Sequence, residues 1–98
     1  MTKELKAYLE VLEKNLDLLN DRFKVKKVAI FGSFAIGKQT SESDIDIMVE
    51  FSEPIGFFKF IELENLLTKL LKRKVDLVTK KALKPTMKEA VLKKAVYV

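Results

Sequence analysis

From Asp44 to Phe51 the chain alternates without a break. Ile45, Ile47, Val49 and Phe51 fall on one side, and Asp44, Asp46, Met48 and Glu50 on the other. A period of two fits a β-strand and no helix. It demands a sheet with one face turned to a core and the other carrying acids. The 98 residues suffice for one such core, so residues 1–98 read as a single domain.

Helices must cover the apolar face. Leu5, Leu9, Leu12, Leu16 and Leu19 recur at intervals of four and three, which predicts a helix from Lys3 to Arg22. Thr2 is its expected N-cap. Val25–Phe31 is a short apolar-rich run ended by Gly32 and reads as a strand. Residues 32–43, with two glycines, three serines and a threonine, read as a loop around at most one helical turn. Ser52–Gly56 breaks the pattern before a second amphipathic helix over Phe57–Lys72. Val75–Thr79 is a further strand, and Pro85 at a first helical position opens a last helix through Met87, Val91 and Ala95. The order α-β-turn-β-α-β-α predicts an α/β (α+β) fold, a small mixed β-sheet packed with helices.

Composition narrows the chemistry. The chain has neither histidine nor cysteine. That removes imidazole bases, thiolate nucleophiles, disulfides and His- or Cys-ligated metals. Carboxylates, hydroxyls, lysines and backbone groups remain, and they suit a hard cation such as Mg²⁺. Residues 1–49 carry eight basic and eight acidic groups, whereas residues 50–98 carry eleven against six, the whole of the net +5. Such a bias suits a phosphate-bearing ligand or an acidic partner, and equally a solvated lysine-rich surface. The longest apolar runs, Val28–Phe31 and Ala95–Val98, have four residues, against about 20 for a membrane helix. With no signal-peptide profile at Thr2–Leu5, a cytoplasmic location and no membrane contact are the expectations.

Asp44 and Asp46 project from one strand face roughly 6–7 Å apart. Two ionised carboxylates at that spacing repel by about 2–3 kcal/mol at an effective dielectric near 20. Two solvated aspartates at an exposed face would leave the same D-x-D. Their surroundings point elsewhere. Gly32 and Ser33 directly follow an apolar strand, where a tight turn can offer backbone N–H groups and a hydroxyl to phosphate oxygens. Asp76 interrupts the apolar run of the later strand. Three acids and a Gly-Ser turn describe a two-metal phosphoryl- or nucleotidyl-transfer site. The stretch Gly32–Lys38 also matches G-x-x-x-x-G-K, but Gln39 stands where a P-loop needs Ser or Thr.

Gly32-Ser33, ten residues, then Asp44-Ile45-Asp46 resembles the G-S-x10-D-x-D pattern of the DNA polymerase β nucleotidyltransferase superfamily. Lys74-Val-Asp76-Leu-Val and the tail from Ala82-Leu-Lys-Pro85 to Ala95-Val-Tyr-Val98 resemble its minimal, MNT-type members. The resemblance implies that Asp44, Asp46 and Asp76 are the catalytic and metal-binding residues for two Mg²⁺ ions. Gly32 and Ser33 would grip the phosphates of ATP, with Lys38 and Ser43 as further nucleotide-binding residues. The implied reaction is attack of an acceptor hydroxyl on the α-phosphate with release of pyrophosphate. Family members act as antitoxins of HEPN-domain toxins in type VII-like pairs, moving AMP to a toxin tyrosine. One departure stands out: Ile36 occupies a position commonly filled by arginine, and Lys38 lies two residues on.

The Phe57–Lys72 helix also bears on partners. Its apolar residues spread over roughly 220° of arc, wider than the 100° or so that one sheet face covers. A further helix or a second chain would take the remainder. The resemblance implies a nucleoside triphosphate and a HEPN toxin as partners, and the wide apolar arc adds a second copy of the chain as a further expectation. Two other readings stay open. One is a non-catalytic module that neutralises a toxin by contact, which Ile36 favours. The other is a nucleic-acid-binding or nucleic-acid-modifying domain, suggested by Lys69, Lys72, Arg73, Lys74, Lys80, Lys81 and Lys84. It is disfavoured because no aromatic residues interleave with these cations.

Overall fold

A computed structural model describes all 98 residues. The elements in chain order are α1 (Lys3–Lys14), α2 (Leu16–Phe23), β1 (Val25–Phe31), α3 (Ser33–Ile36), β2 (Ile45–Phe51), α4 (Phe57–Leu71), β3 (Val75–Thr79), a 3-10 turn (Lys80–Ala82), α5 (Pro85–Lys94) and β4 (Val96–Tyr97). The four strands form one mixed sheet in the order β3-β2-β1-β4. β1 runs antiparallel to β2 and β4, whereas β2 and β3 are parallel. A parallel pair needs a crossover, and α4 supplies it.

One face of the sheet meets the helices. Ile45, Ile47 and Val49 of β2, Val28 and Ile30 of β1 and Val75 and Leu77 of β3 are buried there. Leu5, Leu12, Leu19 and Phe23 of α1 and α2 and Leu63, Leu67 and Leu71 of α4 close the same core. A register irregularity between Val25 and Lys27 explains how Val25 and Val28, three residues apart, both reach it. An extra residue in one strand shifts the alternation by one. The opposite face is only partly covered. Ala29 and Met48, paired across β1 and β2, are buried there, while the acids of β2 and β3 further along it are not.

Three elements depart from the sequence-based expectation. The helix expected over Lys3–Arg22 is two helices broken at Asn15, whose backbone leaves the helical region (φ −107°, ψ 7°). Its side-chain amide donates to the Val11 carbonyl at 2.7 Å, a local bond that competes with the helix ladder. The leucine stripe nevertheless continues across the break. The last helix stops at Lys94, and Val96 and Tyr97 pair with Ile30 and Ala29 as a fourth strand. Two residues of alternation leave no periodic signal from which to read a strand. Finally, β2 begins at Ile45, so Asp44 lies one residue outside it.

α4 behaves partly as its wide apolar arc implies. Leu63, Leu67 and Leu71 take the core, and Phe60, Ile61, Leu66 and Leu70 flank them half-buried. Phe57 and Phe58 remain 72% and 86% exposed, packed edge to face on each other. Because Leu67 sits fully buried between sheet and helices, Leu67→Ala should cost about 2–5 kcal/mol through lost transfer energy and a residual cavity. Urea unfolding at a constant slope checks this.

Candidate active site

The register of the sheet assembles the site. Asp46 of β2 stands directly opposite Asp76 of β3 on one side and Phe31 of β1 on the other. Neighbouring strands lie about 4.8 Å apart, so the two acids face out side by side from the sheet surface away from the helical core. Asp44 stands one step before the strand. There the Ile45 N–H donates to the Lys74 carbonyl at 2.9 Å, and the Lys74 ammonium lies 3.9 Å from the Asp44 carboxylate. Asp44 and Asp76 are exposed, and Asp46 is half-buried between them.

Their mutual effect appears in Asp46. Burial, then the charge of Asp76, then that of Asp44 push its carboxyl above the ordinary carboxylate range. Each cause disfavours the ionised form. A group of carboxylates held under such strain is suited to a cation.

Gly32 follows β1 and turns the chain beside Asp46. A Cβ at Gly32 would fall onto the Asp46 carboxylate, with its Cγ only 2.9 Å away. The backbone there (φ 72°, ψ −150°) is also one that residues with a side chain rarely adopt. Glycine is thus required on two independent counts. Ser33 opens the single turn of α3, whose Phe34 is fully buried. The Ser33 carbonyl accepts the Lys38 N–H at 3.0 Å, which brings Lys38 back beside the Gly-Ser turn. Lys38 is exposed and takes part in none of the five ion pairs of the protein.

Gly32, Ser33, Asp44, Asp46 and Asp76 are therefore gathered at one end of the sheet, with Lys38 close in the chain to the turn. Ser43 is placed differently. Its hydroxyl accepts the Thr40 N–H at 2.8 Å and lies 3.3 Å from the Thr40 hydroxyl, so it is engaged in the turn leading to Asp44. The P-loop alternative does not survive. Gly37 ends α3 in a left-handed conformation, and no helix opens at Lys38. Sequence reasoning missed Arg73. Within Lys72-Arg73-Lys74 it looks like one more surface cation, yet only 23% of its side chain is exposed and it bonds to the turn before Asp44.

The donor set fits Mg²⁺ in kind. The acids offer hard oxygen ligands, and Asp46 and Asp76 are engaged in no ion pair within the chain. The carboxylates alone do not converge into a closed metal cage. That suits a cation which binds through one or two carboxylates and completes its shell with water and substrate phosphate.

Comparison with known proteins agrees with this geometry. The family model described as a nucleotidyltransferase domain matches residues 12–98. A Methanocaldococcus jannaschii protein, provisionally named protein adenylyltransferase MJ0126, is 44% identical over 97 residues, covering 98% of this chain and 99% of its own. Protein adenylyltransferase MntA of Thermococcus cleftensis is 41% identical over 96 residues, covering 98% and 94%. Among solved structures, one provisionally described as a minimal nucleotidyltransferase superposes with a TM-score of 0.79 at 32% identity, covering 94% of this chain and 93% of that one. A toxin–antitoxin structure with AMP-PNP superposes at 0.71 with 29% identity, covering 87% and 69%. With the family match spanning most of its length and the relatives nearly all of it, this chain belongs to the nucleotidyltransferase-domain family.

Proposed function

We propose that this chain is a Mg²⁺-dependent protein adenylyltransferase that moves AMP from ATP to a tyrosine hydroxyl of a HEPN-domain toxin, and so acts as its antitoxin. The observation that carries the reading is the cross-strand pair Asp46–Asp76, with Asp44 beside it and Gly32 packed against Asp46. The name of the Thermococcus relative and the toxin–antitoxin structure holding an ATP analogue support the substrate and partner.

Each residue has a distinct task. Asp44, Asp46 and Asp76 would hold two Mg²⁺ ions, which when bound offset the charge developing on the transferred phosphoryl group. Gly32 and Ser33 present backbone N–H groups and a hydroxyl to the β- and γ-phosphates, and the free ammonium of Lys38 adds charge beside them. Asp76, exposed at the outer side of the pair, orients the acceptor hydroxyl and draws its proton. The hydroxyl oxygen forms a bond to the α-phosphorus as the bond to pyrophosphate breaks. Ser43 shapes the turn that delivers Asp44 through its bond with the Thr40 N–H, and its hydroxyl proton remains a donor for the nucleotide.

Incubating the purified chain with labelled ATP, Mg²⁺ and the neighbouring gene's product, then mass analysis of the acceptor, tests the whole reading. Asp44→Asn and Asp76→Asn should each lower transfer by at least about a thousandfold while leaving the fold intact. Full activity in both would remove the carboxylates from the mechanism.

The strain on Asp46 makes a second outcome measurable without a partner. Its folded pKa lies above its unfolded one. The ionised group therefore opposes folding at neutral pH, and that penalty fades as pH falls through the raised value toward the ordinary carboxylate range. Asp46→Asn should raise the Tm of the metal-free protein by a few degrees, about 4–8 °C per kcal/mol for a domain of this size. Millimolar Mg²⁺ should raise the Tm of the native sequence and not that of the variant.

Ile36 is 46% exposed at the end of α3 and brings no charge to the turn. If the chain turns over with a weakened triphosphate grip, Ile36→Arg should lower the KM for ATP several-fold. No transfer by either protein, with the toxin still neutralised, would favour neutralisation by contact.

A further inference from the structure

We propose that Arg73 is a positioning residue that sets Asp44 and the Gly32–Ser33 turn in register with Asp76. Its guanidinium touches the turn that precedes Asp44, the helical turn that follows Gly32, and α1. One nitrogen, Nη1, donates to the Ser43 carbonyl at 2.9 Å and the Ser41 carbonyl at 3.3 Å, in the turn that delivers Asp44. The carbon Cζ sits 5.1 Å over the ring of Phe34, the residue after Ser33. Nε donates to the Tyr8 hydroxyl at 3.1 Å, and Nη2 lies 3.6 Å from Glu4, both on α1. Tyr8 itself packs edge to face on Phe34 at 5.5 Å. Arg73 also leads directly into β3 and Asp76.

This connection matters most for Asp44. Asp46 is held in the ladder between β1 and β3, and Asp76 in the ladder with β2, whereas Asp44 lies outside β2. Its backbone is held after it by the Ile45 N–H and before it by Ser43, whose carbonyl Arg73 anchors. Lysine cannot replace this. An ammonium has neither the planar fork that serves two carbonyls and a hydroxyl nor the face that stacks on a ring. Residues that orient metal-binding side chains from behind typically contribute 10–100-fold to metal affinity.

The inference rests on the proposed metal site, and its test separates the two. In the full-length chain, held well below its Tm, Arg73→Ala should speed hydrogen exchange at the Ser43 amide and weaken Mn²⁺ binding, titrated calorimetrically, by about tenfold or more. Arg73→Lys should behave like Arg73→Ala, and millimolar methylguanidinium should restore binding in the alanine variant alone. Leu12→Ala, a core variant at a residue that Arg73 does not bond, provides the comparison for general destabilisation. Native exchange and affinity in Arg73→Ala, or an equal loss in Leu12→Ala, would overturn the assignment. Should Arg73→Ala fail to fold, Arg73→Lys decides by the same two readings. If Asp46→Asn binds Mn²⁺ like the native chain, the metal-site reading fails, and Ser43 exchange still judges Arg73.

Discussion

The side-by-side placement of Asp46 and Asp76 on neighbouring parallel strands is the constraint on which the rest of the molecule turns. Like charges so close repel, and neither local propensity nor hydrogen bonding favours the arrangement. The opposite face of the same two strands holds it. Ile45, Ile47, Val75 and Leu77 are buried beneath the helices, and a slip of one residue would turn them to solvent and the aspartates to the core. The hydrophobic core thus enforces the electrostatic strain, which the proposed cation would relieve. Stability and site are two faces of one register.

Gly32 belongs to the same constraint. With β1 as the antiparallel neighbour of β2, the chain must leave the sheet beside Asp46, and only a residue without Cβ can pass there. The Gly32–Ser33 turn and the Asp46 carboxylate are therefore in van der Waals contact by construction. Further along that sheet face Met48 and Ala29 are buried, which separates the open end bearing the acids from the end where Lys27 is exposed.

What could be read from the sequence follows the physics of each signal. The alternation over Asp44–Phe51 and the leucine stripe of α1 and α2 are periodic, so strand, helix and buried face were all legible. The break at Asn15 was not, because the stripe runs on through it. β4 was not, because two residues hold no period and its pairing with β1 is non-local. At the site, the acids and glycine were legible as residue types at fixed spacing. Arg73 was hidden among lysines, because what sets it apart is burial and a fork of long-range contacts. Nor did residue type show that the Ser43 hydroxyl accepts the Thr40 N–H and so shapes the turn before Asp44.

The openness of the site bears on how so small a chain selects a substrate. Asp44 and Asp76 are exposed, and the turn that precedes Asp44 lies largely at the surface. Carboxylates in this setting can hold a cation and its phosphates, but they exclude little water and discriminate little among acceptors. Removing water is what strengthens such electrostatic interactions. For the proposed transfer, the acceptor protein must therefore do part of the enzyme's work: as it docks it brings the hydroxyl and covers the exposed edge beside Asp76. Specificity then resides in the contact between two chains, and a free tyrosine should be a far poorer acceptor than the same residue in a folded partner.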